Sequence, residues 1–189
     1  MKVAKKGGGK PIRYLFSSAR NHITEPSAFG ELESDLGYIF LNKDVLARAL
    51  THSTYANELA QKYPNSGILD QETFSTLGDA ILKAGFILLL MDRLSKKGAI
   101  TVTKSEFENN VKLLEIGRRL KLKERNLIKV GGGKDNLWTT GEESVLSGTV
   151  EALFAAIFID SGSSMGVVRN CISTVFRKEL DAWKEKFPK

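Results

Sequence analysis

Three acidic side chains lie within strongly apolar stretches of this 189-residue chain. Glu72 and Asp79 belong to residues 71–82, QETFSTLGDAIL, and Glu151 belongs to residues 149–158, TVEALFAAIF. Burying a carboxylate is costly unless a partner compensates its charge, and a metal ion is a common partner. The pattern therefore makes these acids candidates for a shared cation site inside a folded core.

Helical spacing would bring these acids together. Glu72 and Asp79 are seven residues apart, which places them on one helix face, two turns from each other, with Ser75 between them. Glu151 lies in a stretch that is hydrophobic nearly all round, which is typical of a central helix in a bundle. If the two helices pack together, their acids meet as in bundles that build carboxylate metal sites.

A purely structural role fits the same spacing. Glu72 can be a helix N-terminal charge, and Asp79 and Glu151 can hydrogen-bond to the ends of neighbouring helices. Spacing alone favours this structural role, because buried acids on unrelated helix faces are often structural.

The elements that must position these residues are helices. From about residue 27 onward, periodic apolar segments follow one another without sustained strand-like alternation, which predicts an all-α, bundle-like single domain. Residues 1–26 are predicted to be a flexible basic arm, and residues 27–189 the folded domain. A first helix is expected to begin at Asn42 or Asp44 and to continue over 51–61. A second runs from 70 or 71 to about 98, and a third begins at 103 or 105. Two further helices cover 142–159 and 167–183.

The positive charge belongs to the arm. Of 28 Lys and Arg residues, six lie in residues 1–20, which contain no acid, and this leaves 22 to balance the 22 acids. Such an arm can bind phosphates by counterion release, with Lys5, Lys6 and Lys10 as candidate contacts. A targeting remnant and an expression remnant are the alternatives.

Cysteine usage and hydropathy indicate the setting. A single cysteine, Cys171, leaves no internal disulfide and favours an intracellular location, in cytoplasm or nucleus, with the mitochondrion as alternative. Its apolar helical surroundings favour a small core residue over a nucleophile. No membrane partner is expected, because the longest candidate span, 84–91, is short and bounded by Lys83 and Asp92.

Together these motifs resemble those of ribonuclease III. The family's first motif, NERLEFLGDAVL, stands here as residues 71–82, and its second, ADTVEAL, as SGTVEAL at 147–153 followed by IFID at 157–160. LGYIF at 36–40, ALTHSTYANE at 49–58 and EIGRRL at 115–120 fit in the same order. The resemblance covers roughly 32–183, and several ordered motifs are more specific than any single one.

The resemblance implies an all-helical, homodimeric endonuclease domain that cuts double-stranded RNA with Mg²⁺ or Mn²⁺. It implies catalytic roles for Glu72, Asp79 and Glu151, with the latter two as metal ligands. It places Phe74, Thr76 and Leu77 at the dimer contact. The double-stranded-RNA-binding domain that many members carry is expected to be absent.

The chain departs from the family pattern at the metal site. The family's four acids fall at Ser75, Asp79, Gly148 and Glu151, so two of the four carboxylates are missing. Two carboxylates and waters can still hold one Mg²⁺, but with half the charge. Weakened or lost cleavage of RNA is therefore expected.

The resemblance also bears on the partners that the chain could bind. Arg118 and Arg119 begin the densest basic run of the folded body, and they are candidate RNA contacts, although such runs are usually solvated. Loss of acids also suits a non-catalytic RNA-binding or structural protein of this fold, such as a component of the mitochondrial large ribosomal subunit. A helical scaffold unrelated to RNA would not explain the family spacing of Asp79 and Glu151.

Overall fold

The structure, a computed structural model, describes residues 26–65, 67–132 and 134–186. Within these ranges the chain forms ten α-helices and no strand, which confirms the predicted all-α fold. The predicted contacts Lys5, Lys6 and Lys10 lie outside the described residues. The helices are α1 Pro26–Leu36, α2 Lys43–Ala49, α3 Ser53–Lys62, α4 Glu72–Leu90, α5 Lys97–Glu108, α6 Asn110–Arg119, α7 Lys134–Thr140, α8 Glu142–Asp160, α9 Met165–Val175 and α10 Arg177–Lys186.

Helix α8 is the centre of the domain, as its apolar sequence predicts. Eleven of its 19 residues are buried, on every side of the helix. It packs mainly against α4 and α6, and also against α2, α7 and α9. A helix that is hydrophobic all round must be covered on all sides, and the acid it carries, Glu151, is partly buried beside these contacts.

Helix α4 is more apolar than the sequence prediction allowed. It is 19 residues long, and an 18-residue window has a mean hydropathy of 1.5, so length and composition alone would permit a membrane span. The expectation that no run reaches that length is corrected, because the helix extends on both sides of 84–91. Its buried side chains, such as Phe74, Leu82 and Phe86, pack with α8, α5 and α9 as in a core helix.

The segment 42–61 is two helices instead of one. Asn42 caps α2 by accepting a hydrogen bond from the Asp44 N–H, as predicted. The chain then leaves the helix because the His52 N–H donates to the Lys129 carbonyl and the Lys129 N–H donates to Leu50. The His52 ring restarts the helix by accepting from the Thr54 N–H. The predicted continuous helix is therefore corrected to two helices, α2 and α3.

The boundary between α4 and α5 also differs from the prediction. α4 ends at Leu90, and Lys97 begins α5, so the basic pair 96–97 lies at the start of a helix instead of at the end of one. Residues 103 and 105 lie inside α5. The cap belongs to Asn109, whose side chain accepts from the Lys112 N–H at the start of α6.

The predicted helix 167–183 is divided at Phe176 into α9 and α10. Phe176 is buried and has a non-helical backbone. Its ring contacts Phe86 edge-on, with centroids 4.9 Å apart, and also packs against Phe154. The bend thus accompanies insertion of this ring between α4 and α8.

The loop 37–42 between α1 and α2 is held by one carboxylate at the end of α8. Asp160 accepts hydrogen bonds from the Tyr38 hydroxyl at 2.8 Å, from the Leu41 N–H at 2.8 Å and from the Asn42 N–H at 2.9 Å. The Phe40 N–H donates to Glu33 at 2.7 Å. These bonds fix the loop although it belongs to neither helix.

Candidate active site

The two helices that carry the acids cross at Gly78. A Cβ atom at this position would lie 1.8 Å from the Glu151 carbonyl oxygen, so only glycine permits the observed approach of the α4 and α8 backbones. The helix that carries Asp79 thus packs directly against the helix that carries Glu151, and the Asp79 charge acts on the Glu151 carboxyl. The crossing also explains why a glycine directly precedes Asp79.

Ser75 and Gly148 face each other at this crossing, beside Glu151. The Ser75 hydroxyl donates to Glu151 Oε2 at 2.6 Å. A Cβ at Gly148 would lie 3.5 Å from Ser75 Oγ, an ordinary contact distance. The structure therefore brings together the two positions at which the resemblance expects acids and the retained acid of α8.

Glu151 binds its proton more tightly than an ordinary glutamate. Burial raises the pKa of the Glu151 carboxyl, and the nearby Asp79 carboxylate raises it further. The hydrogen bond from Ser75 and the charge of Lys83 act in the opposite direction. The two remaining carboxylates thus interact electrostatically across the crossing.

Lys83 is a part of this site that the sequence analysis did not single out. Its ammonium donates to Asp79 Oδ2 at 2.8 Å, one helical turn along α4. This hydrogen bond is the main reason that the Lys83 pKa is raised, and the charges of Asp79, Glu108 and Glu151 add to it. The spacing of four residues between an acid and a lysine is the sequence signal that could have identified it.

Glu72 is not part of these contacts. It lies exposed in the first turn of α4, two turns before Asp79. Burial lowers the pKa of the nearby His52 ring, and the charges of Glu72 and Asp70 partly offset that effect. The predicted catalytic role of Glu72 stays a prediction.

The donor set at the crossing fits a divalent cation poorly. Mg²⁺ requires six oxygen ligands in octahedral geometry and is held through carboxylates and water. The described residues contain no group of three or more metal-ligating side chains of His, Cys, Asp or Glu. Asp79 already accepts from Lys83, and Glu151 already accepts from Ser75.

The basic run of α6 and its following loop is paired with acids. Arg118 contacts Glu142, and Arg119 donates to Glu179 at 2.8 Å. Lys123 also binds Glu142, at 3.1 Å, and its ammonium lies over the Trp138 ring. The predicted RNA contacts Arg118 and Arg119 remain accessible, with 55% and 40% of their side chains exposed, but each already has an acidic partner.

The predicted dimer residues lie in different surroundings. Phe74 is buried in the chain's own core, with the Arg48 guanidinium 4.2 Å from its ring centre. Leu77 is half-buried and Thr76 is exposed. Of the three, Thr76 therefore offers the most surface to a partner, and sequence reasoning had missed the role of Arg48 in covering Phe74.

Known proteins match the part of the chain that contains both helices of the crossing. A model of the Ribonuclease-III-like family matches residues 42–178. Ribonuclease 3 of Geobacter metallireducens is 33% identical over 150 residues, covering 77% of this chain and 57% of that protein. Ribonuclease 3 of Streptomyces coelicolor is 32% identical over 145 residues, covering 74% and 48%. The chain spans about half the length of these curated relatives.

Solved structures share the fold. A crystal structure of the nuclease domain of ribonuclease III from Campylobacter jejuni superposes with a TM-score of 0.67 at 21% identity, covering 88% of this chain and 99% of that one. A second structure of that domain gives 0.66 at 23% identity, covering 78% and 95%. Because the family match runs through both helices of the crossing and most of the chain, this chain belongs to the ribonuclease III family.

Proposed function

We propose that this chain binds double-stranded RNA as a homodimer and that its divalent-metal-dependent cleavage of RNA is weak or absent. The observation that carries the proposal is the contact between Ser75, Gly148 and Glu151 at the α4–α8 crossing. A neutral hydroxyl and a hydrogen atom stand where the family resemblance expects two carboxylates. A divalent cation would find half the expected charge there, and its Lewis-acid chemistry would be correspondingly weakened.

A homodimer is supported by an exposed face of α4. From Thr76 to the C-cap residue Met91, exposed residues recur every three or four positions in one continuous stripe: Thr76, Ala80, Ala84, Leu88 and Met91. Such a largely apolar exposed stripe is typical of a protein interface. One of the Campylobacter jejuni structures is described by flexibility in a region involved in dimer formation of that protein.

Binding to RNA should depend strongly on salt. Duplex RNA is recognised mainly through its backbone and shape, and the charge contribution weakens as salt rises. Arg118 and Arg119 would have to exchange the carboxylates of Glu142 and Glu179, which are 22% and 11% exposed, for phosphates, while their own side chains already reach solvent. Lys5, Lys6 and Lys10 are the further proposed contacts.

The test is a paired binding and cleavage assay on a long RNA duplex. We expect retarded mobility that declines with salt, no comparable binding to DNA duplex of the same sequence, and little product in Mg²⁺ or Mn²⁺. Efficient cleavage would overturn the catalytic part of the proposal. Lack of binding at low salt would overturn the RNA part.

A second candidate function is a structural role in a ribosome, including a mitochondrial one. The same replacement of acids favours it, since a structural RNA-binding protein needs the fold and not the metal site. Co-sedimentation of the chain with ribosomal subunits at moderate salt, and its location within cells, would separate this role from free duplex binding.

A further inference from the structure

We propose that Lys83, in place of a divalent ion, is the resident cation of the site at the α4–α8 crossing. The inference rests on the proposed binding of duplex RNA for its functional consequence, namely that phosphate contact at this site does not require metal. It concerns a side chain four residues after Asp79, which is in contact with that acid.

The Lys83 ammonium interacts electrostatically with acids on three helices. Asp79 on α4 accepts its hydrogen bond at 2.8 Å. The charges of Glu151 on α8 and Glu108 on α5 also act on the ammonium. Glu108 is itself paired with Lys104. Three carboxylates and two ammonium groups thus lie near one another: Asp79, Glu108, Glu151, Lys83 and Lys104. A phosphate therefore meets a nearly neutral site instead of a strongly acidic one.

The same contacts leave little for a metal to bind. Of the two carboxylates at the crossing, Asp79 is engaged by the ammonium and Glu151 by the Ser75 hydroxyl. A divalent ion would have to displace Lys83 from Asp79 while gaining a neutral oxygen at Ser75 and no ligand at Gly148. Unlike Mg²⁺, a lysine ammonium does not require octahedral coordination, and it does not need several carboxylates to replace water around it.

Lys83 can also reach a phosphate. Its side chain is 44% exposed, and an ammonium has three donors, of which Asp79 takes one. A pair this exposed is weakly bound, so the ammonium can share its hydrogen bonds with an incoming phosphate oxygen. Lysine is a common phosphate ligand in proteins.

The first arm of the test measures metal. Mn²⁺ is titrated into the full chain and into Lys83→Met, with bound Mn²⁺ followed by electron paramagnetic resonance. We expect no specific Mn²⁺ binding by the unaltered chain and a new site in Lys83→Met that is lost when Asp79→Asn is added. A specific Mn²⁺ site in the unaltered chain that Lys83→Met leaves unchanged would overturn the proposal.

The second arm measures duplex RNA binding in EDTA and in Mg²⁺. We expect equal affinity in both for the unaltered chain, and a roughly tenfold loss in EDTA for Lys83→Met, the scale of one charged hydrogen bond. Lys83→Arg should retain binding. Lys178→Met, which removes one exposed charge from α10, is the matched control and should change affinity much less.

The two arms separate the two claims. If the unaltered chain binds no duplex in either solution, the proposed function fails, while the Mn²⁺ titration still decides whether Lys83 replaces the ion. If the duplex binds only with Mg²⁺, or if the two Lys→Met variants lose affinity equally, the assignment of Lys83 is overturned.

Discussion

At the residue scale, the α4–α8 crossing places Ser75 and Gly148, where the family resemblance expects acids, beside Glu151. The space for a larger side chain is still present, because a Cβ at Gly148 would make an ordinary contact with Ser75 Oγ. Ser75 is only partly buried, and its hydroxyl donates a hydrogen bond to Glu151. Acids at both positions should therefore be accommodated without rebuilding the helices.

We predict that Ser75→Glu with Gly148→Asp restores metal binding and cleavage. Each added charge at about 4 Å contributes on the order of 1–4 kcal/mol to cation binding, which is at least about fivefold in Kd. Mn²⁺ titration and cleavage of an RNA duplex measure the gain. Ser105→Glu with Ser144→Asp adds the same charges at exposed positions of α5 and α8 and should restore neither. Equal gains in both variants would contradict a site-specific effect.

Cys171 illustrates a residue whose chemistry is suppressed by its surroundings. Its side chain is 1% exposed, and burial raises the pKa of the thiol to about 11. At pH 8 about one thiol in a thousand would be ionised, and the thiolate is the reactive form. The sequence prediction of a small core residue is confirmed by this burial.

We therefore predict that Cys171 resists thiol reagents in the folded chain and reacts fully after unfolding. Because its folded pKa is raised, the neutral thiol adds stability below the unfolded pKa, and this stability is lost as pH rises through about 11. Labelling with a chromogenic disulfide at pH 8, with and without urea, measures the difference. Rapid labelling without urea would show that α9 opens locally.

At the element scale, the approach of α4 to α8 depends on one glycine. The Gly78 position meets the Glu151 backbone itself, which cannot move aside as a flexible side chain can. The same contact sets the distance between Asp79 and Glu151, so the packing of the bundle and the geometry of the site share one residue.

Gly78→Ala is expected to destabilise the fold by about 3 kcal/mol or more, because it overpacks a backbone–backbone contact. Gly30→Ala on α1 is the matched control, since a Cβ there meets nothing within 4 Å. Alanine should stabilise that exposed helical position by up to about 1 kcal/mol. Urea denaturation of the three proteins measures both, and a neutral result for Gly78→Ala would show that the helices can separate.

The sequence predicted the helices with strong apolar periodicity and missed what depends on long-range contact. α8 was predictable because its apolar run is long and its ends carry turn residues. The end of α4 was not, because a Lys-Lys-Gly triplet fits either a helix end or the approach to a new helix. The contact of Ser75 with Glu151 and the stacking of Arg48 on Phe74 join residues far apart in sequence. Neither follows from local pattern.

At the scale of the whole molecule, two surfaces of the folded body differ in kind. The basic run 118–125 is matched by acids from α1, α8 and α10, so it adds little net charge. The exposed stripe of α4 is largely apolar and is not covered by residues within 26–65, 67–132 or 134–186. Formation of the homodimer should therefore depend on the exposed stripe of α4. Electrostatic attraction of a charged partner should depend on residues outside that stripe.

Ala84→Glu should disrupt the proposed homodimer. A two-fold interface repeats each substitution, and an unpaired charge in it costs about 3 kcal/mol or more, a factor of at least about a hundred in the dimer dissociation constant. Sedimentation velocity measures the change. Ala182→Glu on α10 is the control and should leave the oligomeric state unchanged. A dimer that survives Ala84→Glu would place the interface elsewhere.

The hydrogen bonds that Asp160 accepts from the loop 37–42 should slow the exchange of amide hydrogens in that loop. The Leu41 and Asn42 N–H groups lie at the surface but are bonded to a carboxylate fixed at the last residue of α8. Such amides exchange with solvent when that helix end or the loop opens, and not merely because they are exposed. We expect these two loop amides to exchange more slowly than neighbouring surface amides, and Asp160→Ala to abolish that protection. They would thus report, from outside the core, on the integrity of its central helix.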